Sequence, residues 1–337
     1  MEIWKHPSDV PSDLANTVVT IGIFDGVHRG HHAILAKTVA VAQEKHSYAI
    51  ALTFDPHPRL VHNPDEKLNL VSSLEDRIQR LESAGIDAVY VQHYDLSYAE
   101  LSPNDFIQHQ LIDELHAGSV VVGEDVRFGQ HNSGDGVFLL HEGTRLGLDV
   151  YLIDDLCDDD GRRWSSTWVR ELLSKGDVGG AAHVLGRPHR IRGIVQHGFK
   201  RGRELGFPTA NLTGNNLGEV PVEGVYAGWL VQKVPGTDAN VYLPAAISVG
   251  DNPQFDGKQR TVEAHVLGRS DLDLYGEEIA VDFIEWLRPM VKFDSVDSLL
   301  HQMDEDLRRS AEILGVPVAK RVDPKSVTAG INLHLPR

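Results

Sequence analysis

From residue 18 to about 153, short apolar runs alternate with amphipathic stretches. The runs fall at 18–23, 48–53, 88–91, 119–122 and 148–152. They are rich in valine, isoleucine, alanine and leucine with little polar alternation, the composition of strands buried on both faces. Helical spacing occupies the intervals near 31–45, 73–84, 103–115 and 136–146. In the first of these, Leu35, Val39 and Ala42 share a face, while Lys37, Gln43, Glu44 and Lys45 lie mostly elsewhere. Repeated βα units predict a parallel sheet with right-handed crossovers and helices on both faces. Ligands of such a sheet dock beyond the carboxyl ends of its strands.

The pattern changes between Gly176 and Pro188. A short helical link begins at Gly176-Asp177-Val178-Gly179-Gly180 and ends at Leu185-Gly186-Arg187-Pro188. Strand-like runs then follow at 191–196, 224–231, 241–249, 261–267 and 278–287, spaced by glycine turns, and predict a small antiparallel barrel. A last helix carries Val296, Leu299, Leu300, Met303, Leu307, Ala311 and Leu314 on one stripe for packing against the barrel. From about Val322 the chain reads as a loose tail. No internal repeat occurs. The expected fold class is α/β + β: an N-terminal Rossmann-like parallel sheet in domain 1–186 and a C-terminal small antiparallel β-barrel with its packing helix in domain 187–337. Two domains suit 337 residues, since single cores rarely grow past ~250–300.

Composition narrows the function. The chain is 41% hydrophobic with a mean hydropathy of -0.23, as for a globular protein. No run of about 18 apolar residues marks a membrane span. The opening Met1-Glu2-Ile3-Trp4-Lys5-His6-Pro7 lacks the basic-then-apolar order of a signal peptide. Cys157 is the single cysteine, which rules out an intrachain disulfide and fits a reducing cytoplasm, so a cytoplasmic location is expected. Of the net charge of -17, residues 1–186 carry -15 (14 Lys+Arg against 29 Asp+Glu) and residues 187–337 carry -2 (18 against 20). So acidic a front half argues against a nucleic-acid partner, whose phosphate backbone needs a basic footprint. A small phosphorylated molecule with Mg²⁺ needs only a local nest of donors. The oligomeric state is left open.

The densest chemistry lies in Gly22-Ile23-Phe24-Asp25-Gly26-Val27-His28-Arg29-Gly30-His31, between the first apolar run and the first helix. A strand, a glycine-bearing loop and a helix N-terminus make an anion site of free N–H groups and positive dipole. His28 and His31 add donors there. With His32 they also have the makings of metal ligands, although no HExxH pattern and no nearby cysteine supports zinc. Further strand-end loops are 53–59, 123–129 and 164–170, the last bringing Ser165, Ser166, Thr167 and Arg170 to a helix start. Those hydroxyls alone are equally an ordinary helix cap.

A second dense stretch runs from Gly193 to Asn211. Lys200, Arg201 and Arg203 among glycines form a basic loop. Thr209 and Asn211 put two neutral oxygens on one face of an extended strand, a suitable donor set for Mg²⁺ carrying phosphates. No GxxxxGK[ST] occurs, so this is no P-loop, and a hairpin with a solvated basic tip fits the same residues. Glu263 alternates with Val262 and Ala264; it reads either as a surface carboxylate or as a base toward an alcohol.

The Gly-x-Phe-Asp-Gly-x-His-x-Gly-His loop resembles the HxGH signature of the nucleotidyltransferase superfamily. Over residues 16–315 the chain is similar to bacterial bifunctional riboflavin kinase/FAD synthetases. The N-terminal likeness rests on that loop, Thr-Phe-x-Pro-His-Pro at 53–58, Val-Val-Gly-x-Asp-x-x-Phe-Gly at 121–129 and Ser-Ser-Thr-x-x-Arg at 165–170. The C-terminal likeness rests on Leu-Gly-Arg-Pro at 185–188, Gly-Arg-x-Leu-Gly-Phe-Pro-Thr-Ala-Asn at 202–211, Gly-Val-Tyr-Ala-Gly at 224–228, the Val-Glu at Glu263 and Asp-Leu-Tyr-Gly at 273–276. Gln254 and Val126 depart from the family, which usually has a threonine and an aromatic there.

The resemblance implies phosphorylation of riboflavin to FMN by ATP in the C-terminal domain, with Glu263 as base and Thr209 and Asn211 as Mg²⁺ ligands. It implies adenylylation of FMN to FAD with pyrophosphate release in the N-terminal domain, with His28 and His31 catalytic. Nucleotide and flavin contacts would come from Gly22, Phe24, Asp25, Gly30, Phe54, His57, Asp125, Arg127, Ser165, Ser166, Thr167, Arg170, Gly202, Arg203 and Pro208. Two other readings compete: a monofunctional nucleotidyltransferase on another phosphorylated acceptor with a flavin-binding regulatory barrel, and a flavin-binding storage or regulatory module without turnover.

Overall fold

The apolar runs of the first half pair into a six-stranded, fully parallel sheet. Its order is β1 (Glu2–Trp4), β4 (Ala88–His93), β3 (Ala49–Asp55), β2 (Thr17–Ile21), β5 (Ala117–Gly123) and β8 (Asp149–Ile153). The computed structural model describes residues 1–196, 206–212, 217–234, 236–237, 239–251 and 260–322. These fall into two compact units, 1–70 with 74–166, and 71–73 with 167 onward.

Strand alternation deals neighbouring residues to opposite faces of the sheet. Val19, Ile21, Ile50, Leu52, Val120 and Val122 enter one core with Phe106, Ile107 and Leu111. Val18, Ala49, Ala51, Val89 and Val121 enter the other with Leu35, Val41, Ala42 and Leu81. Both faces are therefore covered, by α1 (Arg29–Lys45), α2 (Pro58–His62), α3 (Leu74–Ser83), α4 (Leu96–Ala99), α5 (Pro103–Asp105), a π-helical segment (Phe106–Glu114) and α6 (Gly136–Arg145). β3 and β4 lie on one side of β2, and β5 and β8 on the other. The strand order thus reverses between β2 and β5, and the crevice beyond their carboxyl ends is where such sheets receive ligands.

Three features escaped the pattern. β1 is only three residues long, too short to show a period, and is anchored by buried Trp4. The helix expected over 103–115 widens after Asp105 into i→i−5 bonding, as from Leu115 N to Gln110 O at 3.2 Å. Two-residue strands β6 (Arg127–Phe128) and β7 (Gly134–Asp135) make a small hairpin before α6. The first strand also ends at Ile21 rather than Ile23, which frees Gly22 and Ile23 for the loop.

In the second unit β9 (His189–Gln196), β10 (Ala210–Leu212), β11 (Gly224–Lys233), β12 (Asn240–Asp251), β13 (Arg260–Val266) and β14 (Glu278–Arg288) close an antiparallel barrel. Its order is β10-β13-β12-β11-β14-β9, and β9 returns to β10. Register places Leu212, Tyr226, Leu230, Ile247, Val262, Ala264, Val281 and Phe283 on the inner face, all buried. Gly228 is required there, because a Cβ would stand 2.0 Å from Asp282 O, where β11 and β14 shift register. Helices α7 (Ser166–Ser174), α8 (Val178–Leu185) and α9 (Val296–Leu314) complete this unit, apart from Ser166 itself.

The packing helix α9 starts at a capping box, Ser298 N donating to Ser295 Oγ at 3.1 Å, and stops at left-handed Gly315. Leu300, Met303, Leu307 and Ala311 pack against Phe207, Ala246 and Leu267. Val296, expected on that stripe, is 59% exposed, because the helix begins there and its first turn overhangs the packed surface. The tail expected beyond 322 lies outside the described residues.

Arg77 on α3 is fully buried. Its Nη1 donates to Ile23 O at 2.9 Å, Thr53 Oγ1 at 3.1 Å and Phe54 O at 3.2 Å, joining the segment after β2 to the end of β3. Burial lowers its pKa, while the charges of Asp25, Asp55 and Glu75 oppose that shift. Arg77→Met removes the donor and leaves the Phe54 carbonyl without it. The variant is expected to lose about 1–3 kcal/mol of unfolding free energy in urea titrations. A stability equal to wild type would refute this role.

Candidate functional site

Gly22 is the first residue beyond β2, and the ring of Phe24 fills the space its side chain would take: a Cβ would stand 2.9 Å from Phe24 Cζ. Phe24 adopts a left-handed φ of 53° and is buried, as is Asp25. Val27 has φ 43°, a conformation that costs a β-branched residue roughly 1–3 kcal/mol. This bent loop delivers His28 to the N-cap of α1, where its Nδ1 accepts from His31 N at 3.4 Å. With Nδ1 accepting, the neutral imidazole carries its proton on Nε2.

His31 stacks on His28 with ring centroids 3.6 Å apart, and the edge of Phe24 meets His31 at 5.3 Å. Gly30 makes the stack possible, because a Cβ there would lie 3.2 Å from Cε1 and Nδ1 of His28 and 3.4 Å from Trp164 Cβ. Arg29 lies 5.8 Å above the Trp164 ring. Ser166 Oγ donates to Asp25 O at 2.8 Å, so the Ser-Ser-Thr run is tied directly to the glycine loop. The structure thus brings Gly22, Phe24, Asp25, His28, Gly30, His31 and Ser166 together at the strand-order reversal. Ser165 is adjacent in sequence and half-buried, whereas Thr167 and Arg170 fall on α7 in the second unit.

The other strand-end residues divide. Asp125 is ion-paired with Arg163, which also holds Asp155 at 3.0 Å, and it closes over Gly123 at the end of β5. Arg127 is exposed on the hairpin and donates to Val126 O at 2.8 Å. His57 caps α2, with Arg59 N donating to its Nδ1 at 3.1 Å. Phe54 belongs to a ring cluster at the ends of β3 and β4: it lies 5.9 Å from Tyr94 and 6.1 Å from Tyr98, which are 5.7 Å apart. His62 joins through a 3.0 Å contact from Nε2 to the Tyr94 hydroxyl. Burial raises the pKa of both tyrosines and keeps them as phenols. Sequence reading missed Tyr94 and Tyr98; the only signal was two aromatics four residues apart immediately after a strand.

On the barrel, Asn211 pairs with Glu263, and Glu263 with Ser248, so the three share the outer face. Thr209 Oγ1 donates to Glu263 Oε2 at 3.3 Å, and Asn211 Nδ2 donates to Thr209 Oγ1 at 3.2 Å and Thr209 O at 3.3 Å. Burial raises the Glu263 pKa above the usual carboxylate range, and the Thr209 hydrogen bond partly opposes it. Pro208 contributes its carbonyl, which accepts from His265 Nδ1 at 2.8 Å. Gly202, Arg203, Lys200, Arg201 and Gln254 lie outside the described residues.

Two family models divide the chain: FAD synthetase matches residues 10–168 and riboflavin kinase residues 185–314. The bifunctional riboflavin kinase/FMN adenylyltransferase of Listeria monocytogenes is 34% identical over 305 residues, 89% of this chain and 94% of that protein. Its counterpart from Escherichia coli strain K12 is 33% identical over 299 residues, 89% of this chain and 93% of that one. A crystal structure described as a macrolide-efflux protein from Streptococcus pneumoniae superposes with a TM-score of 0.80 at 28% identity, covering 91% of this chain and 97% of that one. The efflux description is that protein's own; among the described residues here, no helix is long and apolar enough to cross a membrane. Both modules are present, in the order the two dense stretches require, and the monofunctional reading is not favoured. The chain belongs to the bifunctional riboflavin kinase/FMN adenylyltransferase family, which phosphorylates riboflavin to FMN and adenylylates FMN to FAD.

Proposed function

We propose that the stacked imidazoles at the N-terminus of α1 carry the adenylyl transfer, and that Thr209, Asn211 and Glu263 carry the phosphorylation of riboflavin. The observation that supports the first assignment most is the stacking of His28 and His31 where the glycine loop meets the N-terminus of α1, the positive end of the helix dipole. An FMN phosphate oxygen attacks the α-phosphorus of ATP there, and the bond to the departing pyrophosphate breaks. His28 and His31 donate to the phosphoryl oxygens as charge builds, so positioning and electrostatics suffice without a covalent enzyme intermediate. Gly22, Asp25, Gly30, Ser165 and Ser166 shape the phosphate corner; Thr167 and Arg170 on α7, with Asp125 and Arg127, are assigned to the nucleotide. The rings of Phe54, Tyr94 and Tyr98, with His57 nearby in sequence, offer a stacking surface for the planar flavin.

In the barrel, Glu263 accepts the proton of the terminal ribityl hydroxyl as its oxygen attacks the γ-phosphorus of ATP and ADP departs. The donor chemistry of Thr209 Oγ1 and Asn211 fits a hard cation: the Asn211 amide nitrogen is engaged with Thr209, leaving its carbonyl oxygen as the ligating end. Bound Mg²⁺ would neutralise charge on the phosphates. Gly202, Arg203 and Pro208 are assigned to binding that nucleotide. The division of labour runs at 186/187, and a cytoplasmic location is supported by the single exposed cysteine, Cys157.

His28→Ala is expected to lower FAD formation by about 10²–10³-fold, the usual loss for one charge-stabilising donor. Chromatography of a riboflavin, ATP and Mg²⁺ reaction should then show FMN accumulating. Glu263→Gln should lower FMN formation by about 10²–10⁴-fold while supplied FMN is still converted to FAD. Loss of both activities from either substitution in a folded protein would sink the two-site reading. Because a protonated base is inactive and burial raises the Glu263 pKa, the acid limb of the kinase kcat/KM profile should lie above the free glutamate value of about 4.3. A limb at or below that value would contradict the proposed base.

A further inference from the structure

His265 lies two residues beyond Glu263 on the same face of β13, yet it is only 4% exposed. Its ring meets Phe207 edge-on at 5.4 Å, and Phe207 belongs to the apolar cluster under α9. Its one hydrogen bond among the described residues runs from Nδ1 to Pro208 O at 2.8 Å, and Nε2 has no described partner. Burial lowers the pKa of this imidazole, and its hydrogen bond to the Pro208 carbonyl opposes that shift. A buried nitrogen without a partner costs about 1–3 kcal/mol, so an apolar side chain of similar volume would suit stability better. The position is held by something other than packing.

The strand register shows what that is. Pairing between β10 and β13 begins at Ala210 with Ala264, and its continuation would set Thr209 opposite His265. Thr209 therefore stands one residue ahead of the ladder, and Pro208, having no N–H, cannot extend the pairing from its own side. The carbonyl that leads into Thr209 is fixed instead by the imidazole. Thr209 Oγ1 in turn reaches Glu263 Oε2 at 3.3 Å, which closes a loop from Glu263 along β13 to His265, across to Pro208 and back through Thr209. We propose that His265 is a positioning residue for the kinase site, clamping the Pro208 carbonyl so that Thr209 is held against Glu263. It touches neither substrate nor reacting atoms; its effect passes through Thr209. The proposal rests on the assignment of Thr209 and Glu263 to the kinase site.

Three full-length variants test it: His265→Leu, which keeps volume without the donor; His265→Asn, whose amide nitrogen can occupy the Nδ1 position; and Glu263→Gln as reference. FMN formation, FAD formation from supplied FMN and thermal unfolding are measured for each. His265→Leu is expected to lower kinase kcat by about 10–10²-fold, as for a misplacement of about 1 Å, with the ATP KM changed far less. FAD formation should stay at the wild-type rate, and His265→Asn should recover most of the lost kcat. The proposal is overturned if His265→Leu keeps kinase kcat within about twofold of wild type, or if Asn is folded and as slow as Leu. Should His265→Leu fail to fold, the Asn variant decides: near-normal kcat supports the clamp and a Leu-independent collapse of kcat in folded protein overturns it. If Glu263→Gln retains full kinase activity, the site assignment itself falls; if only His265→Leu does, the clamp alone falls.

Discussion

One hydrogen bond, from the backbone N–H of His31 to Nδ1 of His28, sets the terms for the first unit. It engages Nδ1 of the imidazole in capping α1 and so places the proton of the neutral ring on Nε2. The local oddities follow from that geometry. A ring lying over the first helical turn demands glycine at position 30, and the stacked His31 ring needs the edge of Phe24 beside it. Bringing Phe24 there forces its left-handed backbone, and bringing the chain back to the cap forces that of Val27. Strain of this kind persists only where the surroundings over-determine it, and Phe24 and Val27 are both wholly enclosed.

The arrangement also explains how a strongly acidic half can receive polyanions. Residues 1–186 carry -15, and a site built from lysines and arginines would compete with that background at every approach. Under the proposed assignment, backbone N–H groups and imidazole rings at the start of α1 provide directed partial charge at the point of contact instead. Arg77, which might be read as a phosphate ligand from its type alone, is turned inward and spent on Ile23 O, Thr53 Oγ1 and Phe54 O. These hydrogen bonds join the segment after β2 to the end of β3. In the barrel, strand pairing alone places Asn211, Glu263 and Ser248 side by side on the outer face.

What could be read from the sequence was whatever a single stretch encodes. The βα alternation gave the parallel sheet, and Gly22 to His31 announced its own loop because glycine, histidine and a following amphipathic helix are contiguous. Thr209 and Asn211 were legible for the same reason. Residues that act across the fold were not. Arg77 looks like any helical arginine until α3 is laid against the ends of β2 and β3. Tyr94 and Tyr98 gain meaning only beside Phe54, which is some forty residues earlier in the chain. Asp125, legible as part of a loop motif, turned out to be engaged with Arg163. The shift from α to π bonding after Asp105 has no compositional mark at all.

The partners of the buried carboxylates separate structural from chemical roles. Asp282 is held by Arg190 at 2.6 Å, and Asp306 by Arg288 at 2.7 Å, both largely removed from water. A guanidinium holds the carboxylate by paired, charge-assisted hydrogen bonds in a fixed geometry, which suits a strut. Glu263 has no cationic partner among the described residues, only the hydroxyl of Thr209. A neutral donor orients the carboxylate while leaving its charge uncompensated, so desolvation still raises its proton affinity. Under the proposed assignment, a threonine rather than an arginine at that contact leaves the half-buried carboxylate able to accept a proton from an alcohol.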